Sequence, residues 1–89
     1  MSTVKIPPVL RDEVGGNRTV PVTGATVSEV LEDLFARYPA LRERVTDAGE
    51  LSRFVNVYVN DRDVRYRQGL GTPVGPDDSV VLLPAMAGG

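Results

Sequence analysis

The segment Pro84-Ala85-Met86-Ala87-Gly88-Gly89 closes the sequence, and its end group is the one best placed to react. The 89 residues include no Cys and no His, so the usual nucleophile pairs, imidazole bases and zinc ligand sets cannot be assembled. What remains is the terminal carboxylate of Gly89. Gly88 and Gly89 lack a Cβ, so they can pass through a channel too narrow for other residues and accept backbone angles that an enzyme imposes. Ala85, Met86 and Ala87 carry no charge and no β-branch, and with Gly88 they read as the threading segment. A carboxylate resists nucleophiles and must first become an acyl-adenylate on a partner that binds ATP. Sulfide can then displace AMP and leave a thiocarboxylate, or a persulfide can displace it to give an acyl disulfide that a thiol reduces to the same product, a sulfur nucleophile on a tether that needs no cysteine side chain. The plain alternative for two closing glycines is a frayed end; the chemical reading gains from a tail that follows directly on a strand.

Other chemistries fare worse. Asp61, Asp63, Asp77 and Asp78 occupy turn positions, where Asp is favoured for backbone reasons, so no metal site is expected. Gly69-Leu70-Gly71 and Gly75 lack a following Lys-Ser/Thr, and Pro73 and Pro76 oppose a helix start, so no nucleotide or other cofactor is expected on this chain. Ten basic residues against twelve acidic ones give a net charge of -2, which argues against a nucleic-acid partner. The longest apolar run, Val80 to Ala87, is broken by Pro84 and is too short to cross a membrane. Met1 to Leu10 has no apolar stretch of signal-peptide length, and the absence of Cys fits a reducing compartment. A cytoplasmic location follows as the expectation.

These groups must be carried by one domain, because 89 residues cannot build two cores. A composition 42% hydrophobic and 25% charged is that of an ordinary globular chain. Thr3 to Ile6 reads as a strand that Pro7-Pro8 ends. Gly15-Gly16-Asn17 then turns the chain into a second strand over Arg18 to Thr23, and the two form a hairpin. Thr26 and Glu29 have capping-box spacing, and Val27, Val30, Leu31, Leu34, Phe35 and Tyr38 lie on one helical face until Pro39. A polar connection holds Leu41, Val45 and Leu51. Phe54 to Val59 alternates, with Val55, Val57 and Val59 on one face and Phe54, Asn56 and Tyr58 on the other. A short strand at Arg62 to Tyr66 and an irregular loop at Gly69 to Pro76 lead to the last strand, Ser79 to Leu83, whose apolar run suits a central position covered on both faces. The order gives an α+β, ubiquitin-like β-grasp, a mixed four- or five-stranded sheet packed on one main helix, with the first and last strands parallel at its middle. The domain is expected over residues 1–84 and the tail over 85–89.

Three stretches carry a closer likeness: Arg53-Phe54-Val55-Asn56-Val57-Tyr58-Val59-Asn60-Asp61; Asp63-Val64-Arg65; and Asp78-Ser79-Val80 running into Leu83-Pro84-Ala85-Met86-Ala87-Gly88-Gly89. Over nearly its whole length the chain resembles the ubiquitin-like sulfur carriers, the MoaD/ThiS family, and within it the carrier of actinobacterial cysteine biosynthesis. The resemblance implies a protein co-substrate and not an enzyme. Gly89 would be adenylated by an E1-like enzyme at the cost of ATP and converted to the thiocarboxylate. Its sulfur would pass to a PLP-dependent cysteine synthase or another sulfur-inserting synthase, and a zinc metallopeptidase would release the product. The small subunits of molybdopterin synthase more often end in a Pro-Pro-Val-Ala-Gly-Gly type of tail, from which Pro84-Ala85-Met86 departs, so that role stands as the second choice. A ubiquitin-like protein modifier and a noncovalent adaptor share the fold and remain as alternatives.

The same segments suggest where a partner grips. If Val55, Val57 and Val59 face the helix, Phe54 and Tyr58 emerge on the opposite face with Val81 or Leu83, and exposed aromatic strips mark docking surfaces. Arg65, with Arg53, Arg62 and Arg67, would form a basic rim toward an acidic partner, although charges in turns are ordinarily just solvated.

Overall fold

The computed structural model describes residues 2–84. In the first strand, β1 (Ser2–Lys5), Val4 is buried and Lys5 exposed, the alternation of a sheet with one covered face. Pro7 and Pro8 end it. A 3-10 helix over Pro8–Val14 follows and buries Leu10 and Val14. The sequence pattern held no sign of this element, since seven residues are too few for a period to show. Proline at its first turn supplies the fixed φ that a helix start needs, and Gly15 ends it at φ 66, an angle costly for residues with a Cβ. The chain then returns as β2 (Thr19–Val22), antiparallel to β1 with Val4 opposite Val20.

Helix α1 (Val27–Arg37) starts at the expected cap: Thr26 Oγ1 accepts the Glu29 N–H at 3.2 Å. The Glu29 carboxylate accepts from the Ala25 N–H at 2.9 Å, one residue before the position a capping box uses. Gly24 is required here, because a Cβ on it would lie 2.7 Å from the Val30 nitrogen. The helix buries Val27, Val30, Leu31, Leu34 and Phe35. Tyr38 leaves helical geometry at φ -132, ψ 76, as the residue before a proline tends to do.

The expected polar connection proves to be ordered. Pro39 opens a short second helix, α2 (Ala40–Val45), which buries Leu41 and Val45 at the four-residue spacing of one helical face. Strands β3 (Thr46–Asp47) and β4 (Glu50–Leu51) form a small separate hairpin. Its two-residue turn, Ala48-Gly49, has φ 54 and 83, which matches the right-handed twist of the strands. Bidentate hydrogen bonds from Arg42 to Glu32, at 2.9 and 3.0 Å, tie α2 to α1.

Strand β5 (Val55–Val59) buries Val55, Val57 and Val59. Strand β6 is only Arg62–Asp63, and the expected strand to Tyr66 gives way to a 3-10 turn over Val64–Tyr66. The loop from Gly69 to Pro76 begins with another such turn and is pinned to the start of α1 by Val27 N–H to Thr72 O and Val74 N–H to Ala25 O, both 3.0 Å. The last strand, β7 (Ser79–Pro84), lies between β1 and β5 in a five-stranded sheet of order β2-β1-β7-β5-β6. It runs parallel to β1 and antiparallel to β5, so the expected central parallel pair is present and the fold is the mixed β-grasp. The expectation that β7 is covered on both faces is corrected: Val80 and Leu82 are buried, Val81 is half-buried and Leu83 exposed. One main helix covers one face, and among the described residues no element crosses the other. Among those residues no helix is long and apolar enough to cross a membrane.

Candidate functional site

The expected reactive and threading residues, Ala85, Met86, Ala87, Gly88 and Gly89, lie outside the described residues. The site that can be built is the surface from which that segment departs, the finish of β7. Cross-strand register sets its composition. Tyr58 stands opposite Val81, which stands opposite Lys5, so these three share the open face; Asn56 pairs with Leu83 and Val55 with Pro84. The placement of Tyr58 with Val81 and Leu83 on the uncovered face agrees with the sequence.

Phe54 is placed differently. The alternation begins at Val55, because Phe54 belongs to a tight turn in which Ser52 O accepts the Val55 N–H at 3.2 Å and Ser52 Oγ accepts the Phe54 N–H at 3.1 Å. Its ring is therefore not part of the open face with Tyr58. It borders a groove of about 200 Å³ that Pro7, Val9, Leu10, Val55 and Pro84 also line, with the Arg53 guanidinium 5.3 Å from the ring centre. Val9 is 60% exposed, Phe54 57% and Leu83 43%. Together with Pro84 they form an apolar collar around the end of β7, Leu83 on the sheet side and Val9 and Phe54 on the groove side. Sequence reasoning missed Val9; the signal was an apolar Val9-Leu10 pair just after Pro7-Pro8, of which Leu10 turns in and Val9 out.

The expected basic rim divides. Arg65 Nη2 donates to Ser52 O at 2.7 Å and to Val55 O at 2.9 Å, and Nη1 donates to Asn56 Oδ1 at 2.6 Å. Arg62 and Arg67 instead line a cavity of about 450 Å³ with Asn60, Asp61, Thr72, Pro73 and Asp78, at the start of β7 and thus away from the collar. Between Arg65 and Arg67, Tyr66 is 88% exposed, an aromatic that the sequence reading did not single out.

The acidic residues are explained by turns. Asp78 Oδ2 accepts the Gly75 N–H at 2.7 Å and Oδ1 accepts from Asn60 Nδ2 at 3.1 Å; these bonds, the Gly75 one foremost, hold its carboxyl below the ordinary carboxylate range. Asp63 Oδ1 accepts the Arg65 N–H at 2.9 Å. Among the described residues no group of three His, Cys, Asp or Glu could hold a metal ion.

Among the described residues, the end of this central strand is thus ringed by exposed apolar side chains. The sequence matches the ThiS family over residues 4–89. The chain belongs to the ThiS family. A relative from Mycobacterium tuberculosis, "Sulfur carrier protein CysO", is 49% identical over 90 residues, covering 98% of this chain and 97% of its own. In the crystal structure of the Amycolatopsis orientalis BexX/CysO complex, a chain 44% identical superposes with a TM-score of 0.93 over the full length of both. "Small archaeal modifier protein 3" of Haloferax volcanii is 40% identical over 65 residues, 73% of this chain and 71% of its own. ThiS-family relatives such as CysO are small carrier proteins and not enzymes themselves, as the sequence implied for this chain.

Proposed function

We propose that this chain is a sulfur carrier. Its Gly89 carboxyl is adenylated by an E1-like enzyme and converted to a thiocarboxylate, which donates sulfur for cysteine or another sulfur-containing metabolite. The observation that carries this reading is the 49% identity across 98% of the chain to a protein named as a sulfur carrier, with a family match that extends to Gly89. The chain itself holds no cofactor; ATP is consumed by the activating partner. The sulfur acceptor is a PLP-dependent cysteine synthase or another sulfur-inserting synthase, with a zinc metallopeptidase releasing the product, and the setting is the cytoplasm. Ala85, Met86, Ala87 and Gly88 thread the partner's channel, while Phe54 and Leu83 seat the body of the domain against its mouth and Tyr58 adds the neighbouring open face. The exposed collar supports that docking, since aromatic and aliphatic side chains left in water are the anchors of protein interfaces.

Similarity to a small archaeal modifier protein favours a second reading, in which the activated Gly89 is joined to amines of other proteins. Incubation with the cognate activating enzyme, ATP and a sulfur source, followed by intact mass measurement, separates the two. Replacement of one oxygen by sulfur is the expected mass change, and deletion of Gly89 should abolish it while leaving thermal unfolding unchanged. Conjugates to other proteins would support the modifier. An unaltered chain would overturn both readings.

A further inference from the structure

We propose that Arg65 is a positioning residue for docking: it locks the turn that presents Phe54 at the finish of β7, without itself meeting the partner. The proposal rests on the sulfur-carrier reading for the identity of that partner, and on geometry for the rest.

Strand β6 pairs with Tyr58 and Val59, so among the described residues the outer edge of β5 ahead of Tyr58 has no strand beside it. Arg65 fills that place. Both hydrogens of its Nη2 are committed, to Ser52 O and Val55 O, and Nη1 reaches Asn56 Oδ1. Its own backbone N–H is held by Asp63, which fixes where the side chain starts. Ser52 is buried and joins four neighbours: its N–H donates to Val45 O at 2.9 Å, its Oγ accepts from Phe54 and its carbonyl accepts from Val55 as well as from Arg65. The Ser52–Val55 turn is thus clamped between the end of α2 and one guanidinium. Without the guanidinium, Val55 O would have to find water and Ser52 O would keep only the 3.2 Å bond from Val55 N–H, so the turn would gain freedom at the residue that carries the exposed ring. A planar fork is needed to reach all three acceptors; an ammonium keeps the charge but not the geometry. That difference separates positioning from attraction of an acidic partner.

Two measurements on the intact chain decide the matter. In the free protein, amide hydrogen exchange at Phe54 and Val55 should speed up about tenfold in Arg65→Lys. In loading by the activating enzyme with ATP, Phe54→Ala and Arg65→Lys should each raise KM for the carrier about tenfold with kcat unchanged, and the double variant should be no worse than Phe54→Ala alone. Unchanged exchange, normal loading of Arg65→Lys, or KM effects that multiply in the double variant would each overturn the proposal; the last would mean that Arg65 touches the partner directly. Failure of the carrier reading shows separately, as no replacement of oxygen by sulfur on the native chain, and the exchange measurement then still decides whether Arg65 holds the turn.

Discussion

At its start β7 is tied into a polar cage, while at its finish it runs out among apolar side chains left in water. Around Ser79, the Asn60 side chain accepts the Ser79 N–H at 3.1 Å and donates to Asp78, whose other oxygen takes the Gly75 N–H, and Asn60 N–H donates to Ser79 O at 2.7 Å. Around Pro84 stand Leu83, Phe54 and Val9, all exposed. The hydrogen bonds of the cage are closed within the chain at half-buried and exposed positions, whereas exposed apolar groups gain by being covered. The cage therefore serves the fold of the isolated chain, and in the proposed function the collar serves docking to the activating partner. The contrast also shows why a roomy cavity is a poor guide here: the one lined by Arg62 and Arg67 lies at the cage, away from the segment that leads to Gly89.

The sharpest way to break this comparison uses two adjacent residues of β7. Leu82 is fully buried and Leu83 is exposed, so Leu82→Ala should cost about 2–5 kcal/mol of stability in denaturant unfolding and Leu83→Ala less than about 0.5 kcal/mol. Leu83→Ala should instead weaken loading by the activating enzyme; equal losses of stability in the two variants would erase the distinction. A smaller effect is expected at the cage. Asp78→Ala removes the acceptors for Gly75 N–H and Asn60 Nδ2 and should lower the thermal midpoint while leaving the loading rate of the remaining folded chain unchanged, measured well below that midpoint.

The mildest test is pH. The Asp78 carboxyl is held below its ordinary range by its hydrogen bonds, and Glu32 likewise by Arg42. A depressed folded-state pKa stabilises the fold above the unfolded value of about 4, and that contribution fades as pH falls through the lower folded value. The thermal midpoint should accordingly decline below about pH 4, and in Asp78→Asn part of that decline should be missing. A midpoint that holds steady through this range would show that the cage carboxylate does not favour the fold.

Much of the frame was legible in the residues. The Thr26 cap, the apolar face of α1, the valine alternation of β5 and the apolar run of β7 each encode a period or a cap within one segment, which is why the element order and the central β1–β7 pair followed from them. The ordered stretches over Pro8–Val14 and Ala40–Leu51 were not legible, because helices of seven and six residues complete only about two turns and strands of two residues show no alternation. Phe54 was read onto the open face of β5 because alternation in sequence does not reveal that a serine hydroxyl has already turned the chain before the strand begins.

What the sequence determined by itself was the inventory: no thiol, no imidazole, a slim glycine ending, and a helix and strands whose apolar spacing allows one core. What the tertiary structure decided was neighbourhood. Residues far apart in the chain, Val9, Phe54 and Pro84, meet at one end of β7, and Arg65 is drawn from a charged turn into the backbone of Ser52 and Val55. Local periodicity is a property of a few consecutive residues, whereas burial and hydrogen-bond partnership depend on which distant segments the closed core brings side by side.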